Sequence, residues 1–163
     1  MTDSTGALTG KVAVVTGAGR GIGRAIALAY AREGASVCCA ARTSADRKRI
    51  VTEIEQLGGK ALAVPADVTK PESVSHMPEA TEDRFGGLDI LVINAGGNYD
   101  HSPGPVMTER VRKTYAQRQG SVFGIDSEWV KEPEDVTQLA VFLATQPNRG
   151  PTAQSFSLMR RDN

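Results

Sequence analysis

Apolar positions recur along the first part of the chain with two alternating periods. Val12 to Val15 form a continuous apolar run, which reads as a strand buried on both faces. A glycine-dense turn follows, and Ile22, Ile26 and Leu28 then open a helical stripe that closes at Gly34. Ala35 to Ala41 is a second short apolar run. The charged segment from Ser44 to Leu57 carries Ile50, Ile54 and Leu57 at helical spacing, and Gly58-Gly59 ends it. Lys60 to Val64 reads as a third strand. Thr69-Lys70-Pro71-Glu72 predicts a capping box with proline in the first turn of a third helix, whose buried stripe is Val74, Met77, Thr81 and Phe85. Pro78 lies inside that helix and is expected to kink or interrupt it, at a cost of about 3 kcal/mol. Leu88 to Ile93 is a fourth strand. Strands alternating with helices of this length predict an α/β fold, a Rossmann-like doubly wound parallel sheet with right-handed crossovers.

Composition narrows the class. The 163 residues suit a single domain over 1–163, and 19 basic against 19 acidic residues leave no net charge. Neither nucleic acid nor a membrane surface is therefore an expected partner. Met1-Thr2-Asp3-Ser4-Thr5-Gly6 lacks an apolar core and reads as a polar lead-in rather than a signal peptide. The adjacent Cys38 and Cys39 should alternate across a strand as buried free thiols, which points to a reducing, cytoplasmic compartment. His76 and His101 have no partner at ligand spacing, so no metal site is expected.

The chemistry concentrates in Thr16-Gly17-Ala18-Gly19-Arg20-Gly21-Ile22-Gly23. Strand, tight turn and helix in that order bring backbone N–H groups and a helix N-terminus up to a diphosphate. Gly17 and Gly21 let the backbone turn and approach phosphates, while Gly23 lets the helix lie close on the strand. The spacing is Gly-x-x-x-Gly-x-Gly, not Gly-x-Gly-x-x-Gly.

With the fourth strand included, the chain resembles the short-chain dehydrogenase/reductase family. Thr16-Gly17 with Gly21-Ile22-Gly23 matches its cofactor turn, Ala66-Asp67-Val68 its adenine-contacting segment, and Asn94-Ala95-Gly96 its Asn-Ala-Gly signature, with Ile93 where a preceding Asn is usual. The match runs over residues 8–98, the N-terminal, cofactor-binding half. It implies a nicotinamide cofactor held by Gly17, Gly19, Arg20, Gly21, Ile22, Arg42, Thr43, Asp67, Val68, Asn94, Ala95 and Gly96, with Thr108 contributing from a later loop.

Charge bears on which cofactor. An NAD site usually has an acid roughly 20 positions beyond the glycine turn, on the ribose 2′-OH. Here the second strand ends in Ala40-Ala41-Arg42-Thr43, and Arg20 lies inside the turn. Two guanidinium groups suit a 2′-phosphate, so NADP(H) is expected and NAD(H) is the alternative.

The second half departs from the family pattern. The family carries a catalytic Asn, a Ser and a Tyr-x-x-x-Lys that handle the proton as hydride moves. The three tyrosines here, Tyr30, Tyr99 and Tyr115, are followed four places on by Gly34, Pro103 and Gln119. After His101 the text passes to Ser102-Pro103-Gly104-Pro105-Val106-Met107-Thr108, which resembles the family's Pro-Gly loop whose threonine meets the nicotinamide carboxamide. Thr108 to Gln119 and a proline-started helix with Val136, Leu139, Ala140 and Leu143 on one face resemble its C-terminal portion, with Ala153 to Leu158 as a last strand. Residues 103–163 thus read as a remnant of that half, joined across an internal deletion; a complete domain of this kind runs to roughly 250 residues. No catalytic residue is assignable. The expected strand order is 3-2-1-4-7, and the family's homotetramer contact, built on the missing helices, should be lost. Three readings stand: a working NADP-dependent reductase, a non-catalytic nucleotide-binding or interaction module, or a truncated product of a full-length reductase.

Overall fold

The computed structural model describes residues 6–96 and 132–146. Four strands, β1 (Val12–Thr16), β2 (Ser36–Ala41), β3 (Lys60–Pro65) and β4 (Ile90–Val92), form one parallel sheet in the order β3-β2-β1-β4. The helices α1 (Gly21–Arg32), α2 (Ser44–Gln56) and α3 (Pro71–Phe85) connect them, and a 3-10 turn at Pro133–Val136 leads into α4 (Thr137–Ala144). The expected strand at residues 153–158, and with it the fifth place in the order, lies outside the described residues.

Every residue of β1 is buried, as its unbroken apolar run requires of a central parallel strand. Side chains alternate between two cores. Ala13, Val15, Val37 and Cys39 pack with Ile26 of α1 and with Ile50 and Ile54 of α2. Val14, Cys38, Ala40 and Val64 face the other way and pack with Met77 of α3. The helix α4 adds to the first layer: Ala140, Val141 and Ala144 pack there, and the Tyr30 hydroxyl donates to the Ala140 carbonyl at 3.0 Å. Leu143, expected on the packed face with Ala140, is exposed, because the contact runs along the Ala140, Val141 and Ala144 side instead.

Of the two effects expected of Pro78, interruption does not occur: α3 is continuous from Pro71 to Phe85. A proline removes one N–H and leaves one carbonyl orphaned, that of Val74, an exposed residue where water can reach it. Thr69 does not cap α3; the N-cap is Lys70, and the Thr69 amide and hydroxyl both donate to Asp67 Oδ1, at 3.1 and 2.8 Å. The fourth strand is shorter than Leu88–Ile93. Leu88 turns into the α3-side core, and Asp89 serves β1 instead, its Oδ2 accepting the Val12 N–H at 2.8 Å. Within the stripe expected of α3, Met77 and Thr81 are buried and Val74 is not.

Candidate cofactor site

The four parallel strands end on one edge of the sheet, where the loops leaving them meet. β1 has β2 on one side and β4 on the other, so successive connections wind away from it in opposite directions. Such a switch point opens a crevice outside the carboxyl ends of the strands.

The glycine turn lies there, and its glycines have separate physical reasons. Gly17 and Gly21 have φ of 69° and 56°, where a side chain is disfavoured. A Cβ on Gly23 would run into the Gly17 carbonyl and Asn94 Nδ2, which bears out the close packing of α1 on the strand. A Cβ on Gly19 would lie 2.6 Å from Asp46 Cβ, so Gly19 is the place where α2 closes over the turn.

Thr16 ties the turn to β4. Its hydroxyl donates to the Val92 carbonyl at 3.1 Å and accepts the N–H groups of Asn94 and Ala95 at 2.9 and 3.0 Å, while Asn94 Nδ2 donates to the Thr16 carbonyl at 3.0 Å. This buried threonine uses its full hydrogen-bonding capacity, and so fixes the Asn94-Ala95-Gly96 segment against the turn. On the other side the Gly17 and Ala18 N–H groups donate to the Ala40 carbonyl at 2.8 and 3.2 Å. Arg49 Nη2 reaches across from α2 to the Gly19 carbonyl at 2.9 Å.

What the turn leaves unmade is as informative. Among the described residues, none accepts a bond from the N–H of Arg20, Gly21, Ile22 or Gly23. The first turn of α1 contains no acidic residue, and the N-cap Arg20 makes no side-chain cap. Orphan donors and the positive end of the helix dipole therefore sit together at the crevice, a donor set suited to an anion.

Arg20, Arg42 and Thr43 are exposed around this edge. The carbonyls of Ala41 and Arg42 both accept from Arg47 Nη1, at 2.6 and 2.7 Å, which holds the backbone at the end of β2. Two carboxylates also approach: Asp46 beneath Gly19, which the spacing did not reveal, and the expected Asp67 one strand over from Arg42. Bonds from Thr69, and then the nearby charges of Arg42 and Lys70, hold the Asp67 carboxyl below its ordinary range. The Asp67 N–H donates to Ser73 Oγ at 2.9 Å, and Val68 beside it is exposed. The structure thus gathers Gly17, Gly19, Arg20, Gly21, Ile22, Arg42, Thr43, Asp67, Val68, Asn94, Ala95 and Gly96 along one edge. Thr108 lies outside the described residues, as do Tyr99 and Tyr115. Tyr30 is buried under α4 and serves packing; burial pushes its hydroxyl up to about 12.

Comparison with known proteins fits this geometry. A family model described as short chain dehydrogenase matches residues 11–131. An oxidoreductase of Mycobacterium tuberculosis is 37% identical over 118 residues, covering 72% of this chain and 45% of that protein. The 7alpha-hydroxysteroid dehydrogenase of Escherichia coli is 43% identical over 90 residues, covering 55% of this chain and 35% of that enzyme. Among solved structures, a 7 alpha-hydroxysteroid dehydrogenase complexed with NADH and 7-oxo glycochenodeoxycholic acid superposes with a TM-score of 0.56 at 40% identity, over 64% of this chain and 40% of that one. The L-sorbose reductase from Gluconobacter frateurii, complexed with NADPH and L-sorbose, gives 0.56 at 40% identity, over 60% and 37%. The chain spans less than half the length of each of these relatives. Sheet order, glycine turn and sequence similarity converge, and the chain belongs to the short-chain dehydrogenase family of oxidoreductases, whose members bind NAD(P)(H).

Proposed function

We propose that this chain is the NADP(H)-binding part of a short-chain dehydrogenase and does not itself carry the family's catalytic apparatus. One observation carries the reading: unpartnered N–H groups of the glycine turn lie beside exposed Arg20 and Arg42, with no carboxylate ending β2. The N–H groups of the turn and of the first turn of α1 would hold the diphosphate. Arg20 and Arg42 would take the 2′-phosphate, where a guanidinium binds more strongly than neutral donors. Asp67 and Val68 would flank the adenine, Asn94, Ala95 and Gly96 would line the crevice beside β4, and Thr108 would meet the carboxamide. When bound, the dinucleotide would supply the hydride of the family's carbonyl–alcohol exchange. On the protein side, the Ser and Tyr-x-x-x-Lys that would handle the proton have no counterpart in the sequence. A non-catalytic nucleotide-binding module and a truncated product of a full-length reductase both follow from that gap.

Similar solved structures hold NADH in one case and NADPH in another, so kinship leaves the choice to the local charges. Titration of NADPH and NADH against the full chain and its Arg42→Ala variant tests it. NADPH should bind more tightly, and Arg42→Ala should narrow the gap by roughly tenfold, the worth of one charge-assisted bond. Equal affinity for both nucleotides in the unmodified chain would overturn the assignment.

A further inference from the structure

Arg49 lies in α2, on a different element from the turn, yet its side chain ends there. Nη2 donates to the Gly19 carbonyl at 2.9 Å and to Asp46 Oδ1 at 3.0 Å, and Nε stands 4.0 Å from Glu53 Oε1. Glu53 Oε2 in turn lies 2.7 Å from Arg24 Nη2 on α1. One line of charges therefore joins the glycine turn, α2 and α1. Gly19 has no Cβ, and the space is taken by Asp46, so the carbonyl and the arginine meet where α2 closes on the turn.

A trans peptide points its carbonyl and the following N–H in opposite directions. Holding the Gly19 carbonyl towards α2 therefore turns the Arg20 N–H away from α2. That N–H belongs to the unpartnered set at the start of α1. We propose that Arg49 is a positioning residue for the diphosphate: it fixes the Gly19–Arg20 peptide, and with it the extended Arg20 from which the backbone enters α1 and presents the N–H groups of Gly21 and Ile22. This rests on the reading of the turn as a nucleotide site. Without Arg49, a turn with two glycines at positive φ must be ordered by the ligand, and that ordering cost is taken from affinity. Arg49 is about half exposed, at 52%, so its ion pairs contribute little to stability and its loss should register in binding instead.

The test is calorimetric titration of ADP and of adenosine against the full chain, Arg49→Ala and Lys48→Ala, with melting temperatures alongside. Lys48 is exposed on the same helix and removes the same charge without touching the turn. Arg49→Ala should weaken ADP by about tenfold, the equivalent of one hydrogen bond involving a charged group, and leave adenosine within about twofold. Lys48→Ala should leave both within about twofold, and Arg49→Lys should recover part of the ADP affinity. ADP bound by the unmodified chain and equally by Arg49→Ala overturns the role of Arg49 alone. An equal loss in Lys48→Ala, or a parallel loss of adenosine binding, overturns it as well, since charge or general damage would then explain the effect. No binding of ADP by the unmodified chain overturns the nucleotide site and this role with it.

Discussion

Single buried groups in this protein set a pH limit on the fold. Cys38 and Cys39 are both fully buried and, as adjacent strand residues, divide between the two cores. Burial pushes both thiols up, Cys39 to about 12 from an ordinary 9.0, and the Tyr30 hydroxyl to about 12 from 10.0. The folded chain thus retains protons that the unfolded chain releases in that range. Stability from these groups is full below pH 9.0 and is lost as the pH rises towards about 12. The urea midpoint should fall across that interval, and Tyr30→Phe should make the fall shallower. The same substitution should cost about 1 kcal/mol at neutral pH, because the Ala140 carbonyl loses its donor. A midpoint that stays level up to pH 12 would show these groups to be solvated in the folded chain.

Among the elements, α3 carries an avoidable defect. Pro78 sits inside a continuous helix, with its neighbours Met77 and Thr81 holding the buried side. Pro78→Ala should restore the bond to the Val74 carbonyl and raise stability by about 1–3 kcal/mol, read as a higher urea midpoint with an unchanged slope. A lower midpoint would mean that the proline ring, which is partly buried, matters more to packing than the lost bond. The elements themselves were legible because a continuous apolar run and a 3.6-residue stripe leave distinct traces in sequence. Their ends were not. β4 stops where Asp89 turns to the Val12 N–H and where the Thr16 hydroxyl takes the Asn94 and Ala95 N–H groups, both long-range choices. The site divides the same way. Glycines at Gly17, Gly21 and Gly23 announce the turn, whereas Arg47, Arg49 and Asp46 act across a gap between elements, and no spacing records that. Thr16 stood in the motif, but its role as the clasp between β1 and β4 needed the fold.

At the scale of the whole molecule, the described sheet brings the proposed nucleotide-binding residues to one edge, and the sequence holds no counterpart of the family's Ser and Tyr-x-x-x-Lys. The turn, Arg20, Arg42, Asp67 and the Asn94 segment all belong to the first four strand-to-loop junctions. Holding the diphosphate and the adenosine end of a dinucleotide is a matter of N–H groups, charge and a crevice, all of which that edge offers. Reduction of a carbonyl needs more: a group that donates a proton to the oxygen as hydride arrives, tuned near the working pH. Tyr30, the tyrosine among the described residues, is buried, bonded to the Ala140 carbonyl and pushed up to about 12, which suits it to packing and not to proton transfer. Tyr99 and Tyr115 lack the lysine four places on that would lower such a hydroxyl. The expected result is that NADPH binds but is not consumed. Incubation of the full chain with a panel of ketones and aldehydes, followed by the absorbance of the reduced nicotinamide, should give no turnover above the nucleotide's own decay. Steady oxidation of NADPH that disappears in Tyr115→Phe would overturn this and identify the acid; oxidation that survives in both Tyr99→Phe and Tyr115→Phe would place proton transfer on a residue other than tyrosine.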